Sequence, residues 1–421
     1  MANAKTKMNR FFKDGRTIGR VKQGPLGHYL SLYADHLYAR GYPRLSGRRK
    51  LQLAADFCRW LNRKNIAAKG ILAKHLGDYL QFRKRSGIRL QLGDPAAVVG
   101  FLNLLRDHGV TTERIPQPPL TPVQKVLRNY DLYLQKERSL APATRVGYAP
   151  FVCQFLMSRF GSSKVNLSRL NARDVLEFVR RSAGQLKNKR ALLMTTALRS
   201  FLRFARYRGD LTLDLAACVP PVASWSLSTL PRALPPAQVH QVLEDARKRG
   251  SAVGHRDYAI LLLLARLGLR GGEVCHLLLE DLDWEKSRIA IRGKGGRVTH
   301  LPLPADVGQA IAVYLQQDRP RATSTRRLFL RVRAPLTGFK SQGSIGSVVK
   351  HTLQRAKIES SRKGSHQFRH SLASTMLQQG SSLSEIGELL RHRSPDTTAI
   401  YAKVDLRSLS SLALPWPGGK S

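Results

Sequence analysis

Two proline-rich stretches most strongly constrain how this chain can fold. The first, RIPQPPLTP, occupies residues 114–122, and the second, CVPPVASWSLSTLPRALPP, occupies residues 218–236. Proline lacks a backbone N–H and pushes the preceding residue away from the helical conformation, so stretches this dense in proline are typical of extended linkers. Because 421 residues also exceed the length of one ordinary domain, we predict separate folded segments on either side of each linker.

The segments between the linkers differ in their apolar patterns. The first two have the periodicity of amphipathic helices, whereas the third also alternates apolar and polar residues on both sides of GKGG, which predicts a β-hairpin. The run RRLFLRV (326–332) predicts a further short strand. We therefore expect an α-rich multidomain fold, with helical bundles followed by an α+β domain. The boundaries are a basic N-terminal tail (1–24), a helical N-terminal module (25–113), a linker (114–122), a second helical domain (121–215), a linker (216–235), the α+β domain (236–408) and a C-terminal tail (409–421).

The first two segments resemble each other in sequence. SLYADHLYARGY, from residue 31, parallels RNYDLYLQKERSL, from residue 128, and FLNLLRDHG, from residue 101, parallels FLRFARYRG, from residue 201. A repeat at nearly constant spacing indicates an internal duplication. The alternative is coincidence, since leucine-rich helices of unrelated small bundles resemble one another easily.

The charge of the chain indicates a polyanionic partner. Lys and Arg total 71 against 28 Asp and Glu, a formal net charge of +43, which is far more than solubility requires. Nucleic acid is the first candidate and a membrane surface is the rival. The longest apolar run, AILLLLA (259–265), is too short to span a bilayer, and the N-terminus lacks the apolar region of a secretory signal. We expect a cytoplasmic, nucleoid-associated protein that binds DNA and no membrane.

One predicted helix is especially basic. The stretch LKNKRALLMTTALRSFLRFARYRG carries cations along a single long helix that could follow phosphates while its apolar face holds the bundle together. The alternative is a solvated basic face without a ligand. The candidate DNA-binding residues are Lys187, Lys189, Arg190, Arg199, Arg203 and Arg206.

Neither a metal site nor a nucleotide site is indicated by the sequence. The four cysteines, at positions 58, 153, 218 and 275, lie far apart and lack the paired spacing of zinc ligands or of a disulfide framework. No phosphate-binding loop of the G-x-x-x-x-G-K-[ST] type is present. The sequence therefore indicates neither a zinc site nor the use of energy from nucleotide hydrolysis.

Five short elements of the third segment form an ordered pattern. They are GLRGGE, GKGG, HQFRH, LLRH and a single tyrosine nine residues after the last histidine. Individually, each charged residue has an ordinary explanation, such as a surface arginine, a turn lysine or a histidine at a helix end. Arg270 and Lys294 are 24 residues apart, and Arg369 and His392 are 23 residues apart. In this order and at these separations, the elements resemble the catalytic pattern of the tyrosine recombinases, the family of phage integrases and Xer-type resolvases.

The resemblance implies a nucleophile and the groups that stabilise its transition state. Tyr401 would attack a DNA phosphate and conserve the energy of the phosphodiester as a phosphotyrosine. Arg270 and Arg369 would hold the non-bridging oxygens through bidentate hydrogen bonds, because planar guanidinium groups match the charge that develops there. Lys294, at the hairpin tip, would protonate the departing 5′ oxygen as general acid.

The same resemblance assigns roles to the remaining polar residues. His366 would act as general base towards the tyrosine, and His392 would donate a hydrogen bond to a non-bridging oxygen. Glu273 is expected to orient the arginine clamp, and His370 to have a structural supporting role. Two positions depart from the family pattern: Arg391 stands where many relatives have glycine, and a Gly-Gly pair (271–272) follows Arg270.

The family's architecture also implies partners. A SAM-like core-binding domain (121–215) and the catalytic domain (236–408) would close around double-stranded DNA, and a homo- or hetero-tetramer would exchange strands through a Holliday junction. Each step conserves phosphodiester bonds, so the resemblance implies no metal, ATP or other cofactor. The tail, including Trp416, would dock on a neighbouring subunit or on its own domain. Residues 25–113 would form an additional DNA- or partner-binding module, which favours a mobile-element enzyme that works with sister recombinases. A type IB topoisomerase and a catalytically idle DNA-binding relative remain alternatives.

Overall fold

A computed structural model of the chain describes residues 7–72, 74–91, 93–111, 120–223, 233–293, 297–320, 325–360 and 364–404. Lys294, Trp416, residues 114–119 of the first linker and residues 224–232 of the second therefore lie outside the described residues. The described residues before the first linker and those after the second form one compact unit, and residues 120–223 form another. Within the described ranges, no helix is both long and apolar enough to cross a membrane.

The described residues of the N-terminal module form six helices around their own apolar core. They are α1 (Met8–Phe11), α2 (Gly15–Lys22), α3 (Gly27–Ala39), α4 (Arg44–Arg63), α5 (Lys74–Arg85) and α6 (Asp94–Asp107), with a 3₁₀ turn at Ala68–Gly70. Residues 8–11 and 15–22 are helical, so the prediction of a basic tail over residues 1–24 is wrong for this part. The side chains of Met8, Phe11 and Phe12 are buried in the core of the module, and Arg10 between them faces solvent. The abundance of basic residues hid this short apolar pattern.

The second unit is a four-helix bundle whose helices have clear start signals. They are α7 (Pro122–Lys136), α8 (Pro142–Phe160), α9 (Ala172–Ala183) and α10 (Asn188–Tyr207), with a 3₁₀ turn at Leu167–Arg169. Thr121 and Gln124 form a reciprocal capping box at the start of α7, and Asn171 and Asp174 form another at α9. The predicted helical bundle is confirmed.

Helices α3 to α6 repeat the order of α7 to α10, including the 3₁₀ turn between the second and third helices. The buried hydroxyl of Tyr33 on α3 donates to the carbonyl oxygen of Ala97 on α6 at 2.9 Å, and Tyr130 on α7 donates to that of Ala197 on α10 at 3.5 Å. Each of these tyrosines also lies 5.4 Å, between ring centroids, from a phenylalanine on the last helix. This repeated geometry supports the internal duplication.

The third segment is the predicted α+β domain. Its elements are α11 (Pro236–Arg247), α12 (Ala252–Arg266), α13 (Gly271–His276), a 3₁₀ turn (Leu279–Asp281), β1 (Leu282–Asp283), β2 (Arg288–Arg292), β3 (Val298–Pro302), α14 (Ala305–Val313) with a π-helical extension (Tyr314–Asp318), α15 (Gln342–Arg355), α16 (His366–Gln378), α17 (Leu383–Leu389) and 3₁₀ turns at Pro395–Thr397 and Ala399–Val404. Helix α12 is buried along most of its length and contacts α11, α13, α14, α15 and α16. The site described below is built around these helices.

The predicted hairpin is confirmed, but the predicted strand after it is wrong. Strands β1, β2 and β3 form an antiparallel sheet in that order, with Ile289 paired to Leu301. Residues 326–332 form only isolated bridges. The guanidinium of Arg319 donates to the carbonyl oxygens of residues 325, 327 and 328, and the Leu330 amide donates to the hydroxyl of Tyr314. Side chains therefore form the hydrogen bonds to backbone groups that a neighbouring strand would otherwise form.

Candidate active site

Arg369 lies at the centre of the site and connects two turns of the chain. It stands in the first turn of α16 and is 3% exposed. Its guanidinium donates to the carbonyl oxygen of Gly268 at 2.5 Å and to the carbonyl oxygen of Leu390. Gly268 precedes Arg270 by two residues, and Leu390 precedes His392 by two residues. Arg369 thus fixes the turns that carry two of the other predicted site residues.

Arg270 caps the start of α13 together with Glu273. The carboxylate of Glu273 accepts a hydrogen bond from the Arg270 amide at 2.8 Å and from the Arg270 guanidinium at 2.9 Å. The Glu273 side chain is only 8% exposed, while that of Arg270 is 38% exposed. Glu273 therefore holds Arg270 by both its backbone and its side chain, and leaves part of the guanidinium open to solvent.

The same carboxylate also binds Arg391, one of the two departures from the family pattern. Arg391 follows the end of α17 with a backbone φ of +54°, and its guanidinium donates to Glu273 at 3.0 Å. Burial raises the pKa of Glu273, but the hydrogen bond from the Arg270 amide and the charge of Arg391 outweigh it and leave the pKa lowered. Glu273 is therefore a carboxylate at neutral pH and joins Arg270 to the turn before His392.

Two histidines of the site are held in their neutral form. His366 opens α16, and its Nε2 lies 3.5 Å from the side-chain nitrogen of Gln342 on α15. Partial burial and the charges of Arg369 and Arg270 lower the pKa of His366. A neutral imidazole has a nitrogen that can accept a proton, as a general base must.

His392 is linked to the segment that carries the tyrosine. Its Nδ1 forms a 2.7 Å hydrogen bond with the hydroxyl of Thr398, and the carbonyl oxygen of Thr398 accepts from the amide of Tyr401 at 2.9 Å. Burial, followed by the charges of Arg369 and Arg270, lowers the pKa of His392 to about 4. Thr398 thus couples His392 to the 3₁₀ turn at Ala399–Val404.

Tyr401 lies in the interior of the site and is only 1% exposed. Its ring packs in a small apolar cluster with Ala373, Ile386 and Leu390. Its hydroxyl forms a 2.9 Å hydrogen bond with Nδ1 of His370. Burial raises the pKa of Tyr401 to about 12, although the charges of Arg369 and Arg270 act in the opposite direction. The phenol is therefore protonated at neutral pH.

His370 has a more direct contact than the sequence predicted. It was expected to be a supporting structural residue, and its ring contacts the predicted nucleophile. The sequence contains one indication of this contact, because His370 directly follows Arg369 in a predicted helix. Successive helical residues point about 100° apart, so the two side chains face different neighbours. Arg369 can therefore face Gly268 and Leu390 while His370 faces Tyr401.

The other predicted residues fall into three groups. Lys294 lies outside the described residues, in the connection between β2 and β3. On α10 and its N-cap, Lys187, Lys189 and Arg203 are exposed. The other three cations of the predicted basic helix have partners within the bundle: Arg190 lies 5.0 Å from the ring of Phe151, Arg199 donates to the carbonyl oxygen of Val219 at 2.9 Å, and Arg206 pairs with Asp214 at 3.1 Å.

Comparison with known proteins identifies relatives of both later segments. Residues 232–407 match the phage integrase family, and residues 127–209 match the N-terminal SAM-like domain of phage integrases. A putative integrase/recombinase of Sinorhizobium fredii, y4rA, is 47% identical over 412 residues, which cover 98% of this chain and 99% of the relative. The tyrosine recombinase XerA of Thermococcus onnurineus is 30% identical over 289 residues, which cover 68% of this chain and 93% of the relative.

A solved structure shares the fold. The XerH site-specific recombinase bound to its palindromic difH substrate superposes with a TM-score of 0.54 at 19% identity, covering 68% of this chain and 83% of XerH. The sequence similarity to y4rA and XerA extends over nearly the whole length of both relatives. The chain therefore belongs to the phage integrase family of tyrosine recombinases, which are site-specific DNA recombinases.

Proposed function

We propose that this recombinase cleaves DNA by attack of the Tyr401 hydroxyl on a backbone phosphorus, forming a 3′-phosphotyrosine. The bond from phosphorus to the 5′ oxygen breaks as the bond to the tyrosine oxygen forms. The observation that carries the proposal is the position of the Tyr401 phenol, within the field of Arg369 and Arg270 and hydrogen-bonded to the helix that begins with His366. The reverse attack by a 5′ hydroxyl rejoins a strand without another energy source.

The two arginines would bind the phosphate that Tyr401 attacks. A guanidinium has five N–H donors, so Arg369 retains donors beyond those used for Gly268 and Leu390. Arg270 is partly exposed and is held in place by Glu273. Charge-assisted hydrogen bonds from two fixed guanidiniums stabilise the extra negative charge of the pentacoordinate transition state without reorganisation.

Proton transfer would involve the histidines and Lys294. The phenol must lose its proton during attack, and neutral His366 and His370 are candidate acceptors, with His370 already in contact in this conformation. Lys294 would protonate the leaving 5′ oxygen from the connection between β2 and β3. His392, kept neutral, would donate one hydrogen bond to a non-bridging oxygen. We infer no role for a metal or another cofactor in these steps.

The buried position of Tyr401 implies that the site must open before cleavage. At 1% exposure the phenol is shielded from a phosphate on a DNA surface. The 3₁₀ turn that carries it is short and follows a second short 3₁₀ turn, so this segment can move with few broken helical hydrogen bonds. We propose that DNA binding shifts this segment and releases Tyr401 from His370.

The complete reaction would be strand exchange between two recombination sites by four subunits, through a Holliday junction. The SAM-like bundle would hold the duplex through its exposed cations Lys187, Lys189 and Arg203. The C-terminal tail would link neighbouring subunits. The additional N-terminal module favours an enzyme of a mobile element that works with sister recombinases.

The decisive experiment is covalent trapping on a nicked suicide duplex built from the DNA that flanks the gene. The purified chain should form a protein–DNA adduct, and Tyr401→Phe should abolish the adduct while retaining DNA binding. An adduct that persists in Tyr401→Phe contradicts the assignment of the nucleophile. Binding without any adduct supports an idle DNA-binding relative, and relaxation of arbitrary supercoiled DNA by a monomer supports a topoisomerase.

A further inference from the structure

We propose that the N-terminal module carries its own binding site for the phosphate backbone of duplex DNA. The site, which we call the basic corner, lies where α1 and the residues after it pack beside the turn between α3 and α4. The proposal depends on the proposed function only in naming DNA as the polyanion. The basic corner consists of Lys7, Arg10, Lys13, Arg44 and Lys50 around the rings of Tyr38 and Tyr42.

Aromatic rings hold several of these cations in place. The Nζ atom of Lys7 lies 5.3 Å from the ring centroid of Tyr38, and the guanidinium carbon of Arg10 lies 5.4 Å from the same centroid. The Nζ atom of Lys50 lies 5.2 Å from the ring centroid of Tyr42. Cation–π contacts restrict flexible side chains before a ligand arrives, so less conformational entropy is lost when a phosphate binds.

The arrangement forms a groove with uncompensated positive charge. The two tyrosines and the turn at residues 41–43 line it, with Arg10, Lys13 and Arg44 at its edges. Among the described residues, no carboxylate pairs with these three cations. Neighbouring Arg49 is different, because it binds the buried carboxylate of Asp94 at 2.9 Å and is therefore not part of the basic corner.

The charge of the module is far from balanced. Residues 7–110 contain 21 Lys and Arg against six Asp, and no Glu. Three of the six aspartates are engaged inside the module: Asp14 caps α2, Asp56 pairs with two arginines and Asp94 pairs with Arg49. A positive surface of this kind attracts a polyanion and makes its binding sensitive to salt.

The duplicated bundle provides an internal comparison. When Tyr33 is matched to Tyr130, Tyr38 corresponds to Gln135 and Arg40 to Glu137. Pro142 begins α8 at the point where Arg44 begins α4. The two tyrosines are thus absent from the equivalent corner of the second bundle, where Gln135 and Ser139 replace them and Glu137 adds a carboxylate between Lys136 and Arg138. The folding of the bundle does not require the two tyrosines that hold the cations, so their presence in the N-terminal module calls for another explanation.

DNA is the occupant that the surroundings of the basic corner favour. The Leu336 amide of the catalytic segment donates to the carbonyl oxygen of Arg40 at 2.9 Å. This contact sets the corner beside the loop of residues 331–340, which carries exposed Arg333 and Lys340 and no carboxylate. The rival occupant is an anionic membrane, because Leu45 at the start of α4 is 80% exposed.

The test compares charge reversal at the basic corner with an equal change elsewhere on α4. The test variant is R10E/R44E, and the matched control is R63E/K64E at the other end of α4, about 28 Å away at 1.5 Å per residue. The probe is a random-sequence duplex, with binding by the full-length chain measured over a series of salt concentrations. R10E/R44E should weaken binding by about tenfold or more and reduce the slope of log K against log salt by about two. The control should bind like the unmodified chain, and R10K/R44K should retain most of the affinity.

Unchanged DNA binding by R10E/R44E overturns the proposal, and so does an equal loss of DNA affinity in R63E/K64E. If R10E/R44E loses binding to vesicles of anionic phospholipid but keeps its DNA binding, the occupant is a membrane and the proposal is also overturned. Circular dichroism of each variant verifies folding, and R10Q/R44Q, which removes both charges without reversing them and should also weaken binding, gives a second measurement if R10E/R44E is unfolded. Failure of the proposed function is recognised separately, because covalent trapping depends on Tyr401 and affinity for the random duplex does not. An unmodified chain that forms no adduct still reports whether the basic corner binds DNA.

Discussion

The hydroxyl of Tyr401 and Nδ1 of His370 form a 2.9 Å hydrogen bond inside a small apolar cluster. Both groups are polar, and the two residues that carry them are 31 positions apart in the sequence. Because the pocket excludes water from a phenol that is 1% exposed, each group satisfies the other's need for a hydrogen bond. This pair therefore stabilises the observed, closed conformation and opposes exposure of the Tyr401 hydroxyl.

Removing one partner of this pair should destabilise the closed site more than removing both. His370→Phe leaves the Tyr401 hydroxyl buried without its partner, at a cost of about 1–3 kcal/mol. The double variant His370→Phe/Tyr401→Phe removes both polar groups and should recover part of that loss, as a double-mutant cycle would measure. Amide hydrogen exchange across α16 and the 3₁₀ turn at Ala399–Val404 gives the local unfolding free energies. Strictly additive losses would show that the two side chains do not interact.

Sequence analysis predicted those features of the site that depend on neighbouring residues, but not the contacts between residues far apart in the chain. The positions of Arg270, His366 and Arg369 at helix starts follow from local signals such as glycine before α13. The Tyr401–His370 contact and the bridge from Glu273 to Arg391 join residues distant in sequence, and local periodicity contains no information on which side chains meet. The same limit explains the error at residues 326–332, where Arg319 satisfies the carbonyl groups that a strand would have used.

Acidification should destabilise the site through His392. Its pKa is about 4 in the folded protein and near 6.5 when unfolded, so the unfolded chain binds more protons between these values. Stability should therefore be fully present above pH 6.5 and fall as the pH drops towards 4. His392→Asn should have a flatter profile of melting temperature against pH in this window. His240→Asn, on α11, is the control and should keep the slope of the unmodified chain; identical slopes in all three proteins would contradict the assignment.

Glu273 should be essential for the arrangement of both arginines that it binds. Glu273→Gln keeps the size of the side chain but removes the charge that compensates Arg270 and Arg391. Breaking a buried ion pair by removing one partner costs about 3–5 kcal/mol, and the partial exposure of Arg270 places the expected loss in unfolding free energy at about 3 kcal/mol or less. The midpoint of urea unfolding should move to a lower urea concentration, and the yield of the covalent protein–DNA adduct should fall. Glu285→Gln, at an exposed position before β2, should affect neither.

Gly268 should tolerate no side chain, because its backbone and its surroundings both exclude one. Its φ is +56°, and a Cβ there would lie 2.6 Å from the Leu390 side chain and 3.1 Å from that of Leu372. Gly268→Ala should lower the unfolding free energy by about 1–2 kcal/mol or more, and should displace the carbonyl oxygen that Arg369 binds. Gly346→Ala, inside α15 with no neighbour within 4 Å, should instead stabilise by about 0.5–1 kcal/mol. Equal effects in the two variants would rule out this steric explanation.

Gly41 should determine whether the N-terminal module stays attached to the catalytic segment. A Cβ at Gly41 would lie 2.1 Å from the Leu336 side chain, whose backbone amide donates to the Arg40 carbonyl oxygen at 2.9 Å. Gly41→Ala should force Leu336 away and expose its amide, which hydrogen exchange would detect as lost protection. Gly24→Ala is the matched control, because Gly24 also has a positive φ, +102°, but no neighbour within 4 Å. It shares the backbone strain and should leave the Leu336 amide protected. If both variants expose that amide equally, strain within the module rather than contact with Leu336 governs the attachment.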